Sequence, residues 1–342
     1  MPYRRAAAFA GVVLAALLFS ACSPTPMNSP TDSPGPATPA PTAEESSPSP
    51  SASPPTASSD FYVSPGAVNT SIAQLRADGR DTDADLLERT IAKQPQAIWV
   101  GDWMTKDVVQ QTARNAVEVA TKQGAAAVFV MYAIPGRDCG LYSAGGLPEQ
   151  KYLAFIDSFA SGLAGSEAWV VLEPDALGQL GDCDGQGDRV GLLAGAAKIL
   201  DDAGARVYLD TGNSNWLPAD EAARRIQLVG TEHLTGFSLN VSNYNATAAE
   251  TAYGDHIATQ TGLHFVIDTS RNGNGGTGEW CNVPGQALGD DPRVVNEGSL
   301  DAYLWVKPPG ESDGTCNGGP AAGSWWTDNA LELARNAEAN GS

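Results

Sequence analysis

Seven apolar runs of strand length recur along the chain: AIWV (97–100), AAAVFVMY (125–132), AWVVLE (168–173), RVYLD (206–210), GFSLNV (236–241), HFVID (264–268) and AYLWV (302–306). Between most of them lie segments with helical spacing of apolar residues, such as DVVQQTARNAVEVATKQG and DRVGLLAGAAKILDDAG, each closing on glycine. Strands that are apolar on both faces, alternating with helices, predict a parallel sheet covered on both sides. Polar residues crowd just after these strands: Arg137 and Asp138, Glu173 and Asp175, Asp210 and Asn213, Asn243, Asp268 and Arg271, then Lys307, Glu311 and Asp313. In a barrel of parallel strands all these ends meet at one face, where such folds place their active sites.

That placement explains the run WVVLEPDAL (169–177), a buried-strand pattern that ends in two carboxylates around a proline. Burying ionised carboxylates costs several kcal/mol unless they are paired or protonated, so Asp175 is expected to emerge into a carboxylate-rich cleft. Such a cleft, with no evident Ser-His pair and no clustered metal ligands, points to acid and base work on a neutral substrate without a cofactor or metal. Glycoside hydrolysis fits best, because a neighbouring negative charge keeps one carboxyl protonated for the leaving oxygen. Tryptophans near strand ends offer flat faces for sugar rings. The run NGNGG (272–276) lacks the lysine of a phosphate loop and reads as a turn.

The flanking sequence sets the domain limits. Residues 1–22 have the layout of a secretory signal: Arg4 and Arg5, an apolar stretch, then small residues before Cys22. Phe19-Ser20-Ala21-Cys22 resembles a bacterial lipobox, which predicts a lipid on Cys22 and a protein held at the outer face of the cell membrane; otherwise the chain is cleaved after Ala21 and secreted. Residues 23–59 are almost entirely Pro, Ser, Thr and Ala and predict an extended linker, leaving 60–342 as the folded domain. Cys139, Cys183, Cys281 and Cys316 remain as an even set in an exported chain and predict two disulfides, with three pairings open. The net charge of −20 argues against nucleic acid or an anionic membrane surface as a partner. A monomer is expected.

A specific resemblance then emerges. VMYAIPGRDCGLYSAGG (130–146) and VVLEPDAL (170–177) resemble the two signatures of glycoside hydrolase family 6, the inverting cellulases, and YLDTGNSNW, DTSRNGNG, EWCN and WVKPPGESDGTC resemble its later blocks in order. The resemblance implies a distorted parallel β/α barrel, a seven-stranded variant of the TIM barrel. It implies Asp175 as general acid, Asp138 as the acid that raises its pKa, Asp313 as base, directly or through a water chain, and Tyr132 as the ring crowding the distorted sugar. Trp99, Trp216, Trp280, Lys307 and Glu311 match sugar-binding residues. Asn243, after the fifth strand, and Asn213 are expected to join them. Arg137 and Asp210 match an ion pair holding the loop of Asp138. Glu173 reads as structural.

The resemblance also implies the pairings Cys139–Cys183 and Cys281–Cys316. The stretches they close are short beside those of the family's tunnel-forming members, which predicts an open groove and cutting within β-1,4-glucan chains, soluble or amorphous. Endo-β-1,4-glucanase is therefore the expected activity, with a cellobiohydrolase of the same family, or a non-catalytic glucan-binding lipoprotein, as alternatives. One departure stands out: Asp210-Thr211-Gly212-Asn213 replaces the family's Asp-Ala-Gly-His, so an amide stands where an imidazole is usual.

Overall fold

A computed structural model describes residues 60–341. The expected signal (1–22), with Cys22, and the linker (23–59) lie outside the described residues. All seven predicted strands form, and a helix follows each of them except the sixth. In chain order the strands of the described residues are eight: β1 (Ile98–Gly101), β2 (Val128–Tyr132), β3 (Trp169–Leu172), β4 (Arg206–Asp210), β5 (Gly236–Leu239), β6 (His264–Asp268), β7 (Arg293–Glu297) and β8 (Leu300–Leu304). The helices are α1 (Ala67–Ala77), α2 (Asp81–Leu87), α3 (Lys106–Gln123), α4 (Glu149–Leu163), α5 (Arg189–Asp202), α6 (Ala219–Val229), α7 (Thr247–Thr261) and α8 (Thr327–Ala339).

One strand corrects the count of seven. β7 is an extra strand that pairs antiparallel with β8 at the end of the sheet, in the order β1-β2-β3-β4-β5-β6-β8-β7. Every other pairing is parallel, and the curled sheet forms a distorted α/β barrel. The barrel is not closed by a strand ladder. Across the seam between β1 and β8, the Ala97 N–H donates to Trp305 O (3.0 Å) and the Trp99 indole donates to Val306 O (2.8 Å).

The continuous hydrophobicity of the strands follows from their two environments. Phe129, Met131, Val170, Leu172, Val207 and Leu209 face outward and pack with Val109, Phe155, Phe159, Leu193 and Leu200 of the helices. Their neighbours Val128, Val130, Val171, Tyr208 and Val266 point inward and fill the barrel with Phe61 and Trp169. Each such burial contributes about 1.5–3 kcal/mol. The helix boundaries follow local rules. Thr105 Oγ1 accepts the Val108 N–H at the start of α3 and Gly124 ends it at φ +69°, while Asp188 caps α5 by accepting the Gly191 N–H.

The two ends of the barrel differ. At the N-terminal end, Asp301 accepts the Tyr208 hydroxyl (2.6 Å) and pairs with Arg206 and His264, while Trp169 stacks on Tyr208. That end is plugged. At the C-terminal end the strands open into loops, and the polar residues singled out above gather there.

Candidate active site

Three buried carboxylates shape this end before any reach the cleft. Glu173, fully buried at the end of β3, accepts the N–H groups of Ala133 and Ile134 after β2 and the hydroxyl of Tyr152. Asp210, at the end of β4, accepts the N–H of Asp175 (2.9 Å), the N–H of Gly212 and the Ser238 hydroxyl. Asp268, at the end of β6, accepts N–H groups from Ser242, Ser270, Val306 and Lys307. Each therefore staples one strand end to its neighbours. Glu173 is structural, as its sequence position suggested, and burial pushes its carboxyl up to about 7 against the pull of its N–H donors.

The backbone held this way is unusual where the chemistry lies. Asp138, Glu173 and Asp175 take φ of +57°, +52° and +69°, and Asn240 and Ser242 after β5 are also positive. Non-glycine residues persist in this region only where their surroundings over-determine them, and they cluster at functional sites. For Asp175 the determinant is visible: Asp210 grips its N–H, so the side chain turns out of the strand line toward the cleft.

Every residue expected from the sequence to act in catalysis or sugar binding lines one cavity of about 980 Å³: Trp99, Tyr132, Asp138, Asp175, Asn213, Trp216, Asn243, Trp280, Lys307, Glu311 and Asp313. Trp103, Leu141, Tyr142, Trp216 and Trp280 within it remain between 37% and 55% exposed, so the cleft is open to solvent. Trp216 lies flat against the chain, since a Cβ on Gly178 would come within 2.7 Å of its ring. Asn213 Oδ1 accepts from Asn245 Nδ2 and the Asn215 N–H, which leaves its Nδ2 without a partner among the described residues. Asn243 Oδ1 accepts the Tyr244 N–H.

The three aspartates of the cleft differ in how firmly they hold a proton. Burial, reinforced by the negative charges of Asp138 and Asp313, pushes Asp175 up to about 7 against the pull of Lys307. Burial also raises Asp138, held back by the Ser143 N–H that its Oδ2 accepts (2.7 Å), by Gln179 and by Arg137. Asp313 is the reverse case. Burial pushes it up, but Arg271 and Lys307 outweigh that and hold it below the usual aspartate range. Its Oδ2 accepts from Arg271 Nη1 (2.9 Å), the Asn282 N–H (2.9 Å) and the Tyr244 hydroxyl (3.3 Å), while its Oδ1 faces only Lys307 Nζ at 3.6 Å. Tyr132 meets Trp99 edge to face (5.2 Å), and burial lifts its phenol far above the ordinary value.

The Arg137–Asp210 ion pair expected from the resemblance is not formed. Arg137 instead pairs with Asp102, after β1, and donates to Tyr132 O with its guanidinium 4.5 Å from the Tyr132 ring centroid. The oxygens of Asp210 are occupied by donors of its own neighbourhood, which leaves the guanidinium to the carboxylate beside it. Asp102 also accepts the Gly146 N–H and so fixes the loop carrying Asp138. Sequence reading missed Asp102 and left Arg271 without a role, although Arg271 stood among the strand-end residues. Both expected disulfides are present, Cys139–Cys183 and Cys281–Cys316.

With this geometry in place, comparison with known proteins is decisive. The model of glycosyl hydrolases family 6 matches residues 56–337. The chain belongs to that family. It is 53% identical over 285 residues to endoglucanase A of Cellulomonas fimi, an alignment covering 83% of this chain and 62% of that protein, so the chain spans less than two thirds of that relative. Endoglucanase 1 of Streptomyces halstedii is 36% identical, over 84% of this chain and 92% of its own. Among solved structures, the endoglucanase Cel6 of Mycobacterium tuberculosis, in complex with a methyl-cellobiosyl-thio-cellobioside, superposes with a TM-score of 0.75 at 40% identity, covering 81% of this chain and 97% of that one. Family membership makes this a glycoside hydrolase.

Proposed function

We propose that the chain is an endo-β-1,4-glucanase that hydrolyses internal bonds of soluble or amorphous β-1,4-glucan with inversion at the anomeric carbon. The observation that carries the reading is the pair of opposite charge states in one cleft: Asp175 raised to about 7, Asp313 held ionised. Asp175 protonates the leaving glycosidic oxygen. Asp138, charged beside it, holds that proton in place. Asp313 takes the proton of the attacking water, directly or through a water relay, by its Oδ1, since Oδ2 already has three donors. Tyr132 crowds the sugar at the point of cleavage, and Trp99, Trp216, Trp280, Lys307, Glu311, Asn213 and Asn243 bind the chain on either side.

Supporting this reading, the Cellulomonas fimi and Streptomyces halstedii relatives, 53% and 36% identical, bear endoglucanase names, and the Mycobacterium tuberculosis enzyme was solved with a methyl-cellobiosyl-thio-cellobioside. The two disulfides favour an exported protein. Anchoring through a lipid on Cys22 rests on the sequence alone, and a Cys22→Ser variant that leaves the membrane fraction would support it. The mechanism is tested on cellopentaose by proton NMR. Inversion releases the α-anomer first; a first product with the β-anomer means retention and removes Asp313 from its role.

A further inference from the structure

A second hollow, of about 430 Å³, lies between the segment before α1, the start of β1, α3 and the chain after β8. Ala97, Pro308 and Glu311 line both this hollow and the catalytic cleft, so the two cavities meet at these residues. They meet at the seam. There β1 and β8 share no ladder, and the Ala97 N–H and the Trp99 indole reach across to Trp305 O and Val306 O. The barrel wall is thus interrupted where cleft and hollow adjoin.

The lining of the hollow suits a neutral ligand rich in hydroxyls. Tyr62 and Trp325 supply aromatic rings, and Ser64, Gln96, Thr112 and Asn115 supply uncharged hydrogen-bonding groups. The Tyr62, Ser64 and Thr112 hydroxyls have no hydrogen-bond partner among the described residues. Gln96 Nε2 donates to Ile91 O and Asn115 Oδ1 accepts from Gln111, which leaves Gln96 Oε1 and Asn115 Nδ2 unpartnered there as well. Glu311 is the one charged side chain in the lining, so no cation is present to hold an anion. Trp325 is fixed in place: its backbone bridges to Glu311, and its indole donates to Thr327 Oγ1 (3.1 Å). A concave site with aromatic walls and a few placed polar groups is the usual form of a small-ligand site.

We propose that this hollow is a further glucose-binding subsite, filled by a glucan chain that leaves the cleft across the seam, over Pro308 and Glu311. This rests on the glucanase reading above. A chain long enough to reach both cavities gains contacts that a short one lacks, so the outer subsite favours long chains. The test compares kcat/KM on cellohexaose and cellotetraose. The wild type should prefer cellohexaose. Tyr62→Ala should lower the hexaose-to-tetraose ratio about two- to tenfold, the factor set by losing one aromatic or hydrogen-bond contact, with cellotetraose unchanged. If Tyr62→Ala fails to fold, shown by its thermal transition, Asn115→Ala, at an exposed position on α3, carries the test with the same expected drop. Gly66→Leu narrows the hollow instead and should lower the ratio too, since the backbone there is extended (φ −129°) and a Cβ meets nothing within 4 Å. An unchanged ratio in the folded variants, or an equal loss on both substrates, would overturn the outer subsite alone. A wild-type protein inert on both would overturn the glucanase reading.

Discussion

The Asp175 and Asp313 sides of the cleft place the same residue type at ends of parallel strands and give it opposite character. Around Asp175 the negative charges of Asp138 and Asp313 reinforce burial, and the pull of Lys307 is outweighed. Around Asp313 a buried guanidinium, an ammonium, an N–H and a phenol converge. Burial acts in the same direction on both, so the partners decide the outcome. One carboxyl keeps its proton near neutrality and the other keeps its charge, which is the separation that a single-displacement glycosidase needs.

The largest effect should come from removing the proton donor. Asp175→Ala is expected to lower turnover on cellulose by about 10²–10⁴-fold, while a substrate with a very acidic leaving group, which needs no proton, should be largely spared. Comparing kcat on the two substrates checks this, and equal losses on both would mean that Asp175 does something other than donate a proton.

Next in size is the guanidinium that defines the other side. Arg271→Leu leaves Asp313 buried with little compensation and should destabilise the fold by about 3–5 kcal/mol, read from denaturant unfolding. Its surviving activity should show an acidic limb moved to higher pH, because Asp313 loses its strongest pull toward the ionised form. An unmoved acidic limb would detach Asp313 from the profile.

A moderate effect is expected at Asp138. With Asp175 raised to about 7, activity should decline as the pH rises through that region and the acid loses its proton. Asp138→Ala removes a neighbouring negative charge, makes that loss easier, and should shift the alkaline limb downward. The pH dependence of kcat/KM is the check, and an upward shift would contradict the assignment.

The smallest effect concerns Asn213, whose Nδ2, without a partner among the described residues, can donate neutral hydrogen bonds to a sugar. Asn213→Ala should raise KM about two- to tenfold with kcat little changed. A fall in kcat at constant KM would place Asn213 in the transition state instead.

The same contrast shows what sequence could convey. The parallel strands were legible because each is apolar on both faces, and the cleft because polar residues follow the strands in regular order. β7 was not: Arg293–Glu297 is an exposed edge strand with only partly buried valines, so it carries no unbroken apolar run. Asp175 and Asp313 were identifiable from their motifs, but their opposite charge states depend on partners distant in sequence. Arg271 lies 42 residues from Asp313 and Asp210 lies 35 from Asp175. The Arg137 partner was misread for the same reason, since Asp102 sits 35 residues upstream in a stretch with no acid–base signature.

The opposition of the two carboxyls can be measured directly by carboxyl carbon NMR on aspartate-labelled protein, with Asp175→Asn and Asp313→Asn variants assigning the resonances. The signal lost in Asp175→Asn should titrate near pH 7, and the one lost in Asp313→Asn should stay ionised below the ordinary aspartate value. Two signals titrating together in the ordinary aspartate range would contradict the account.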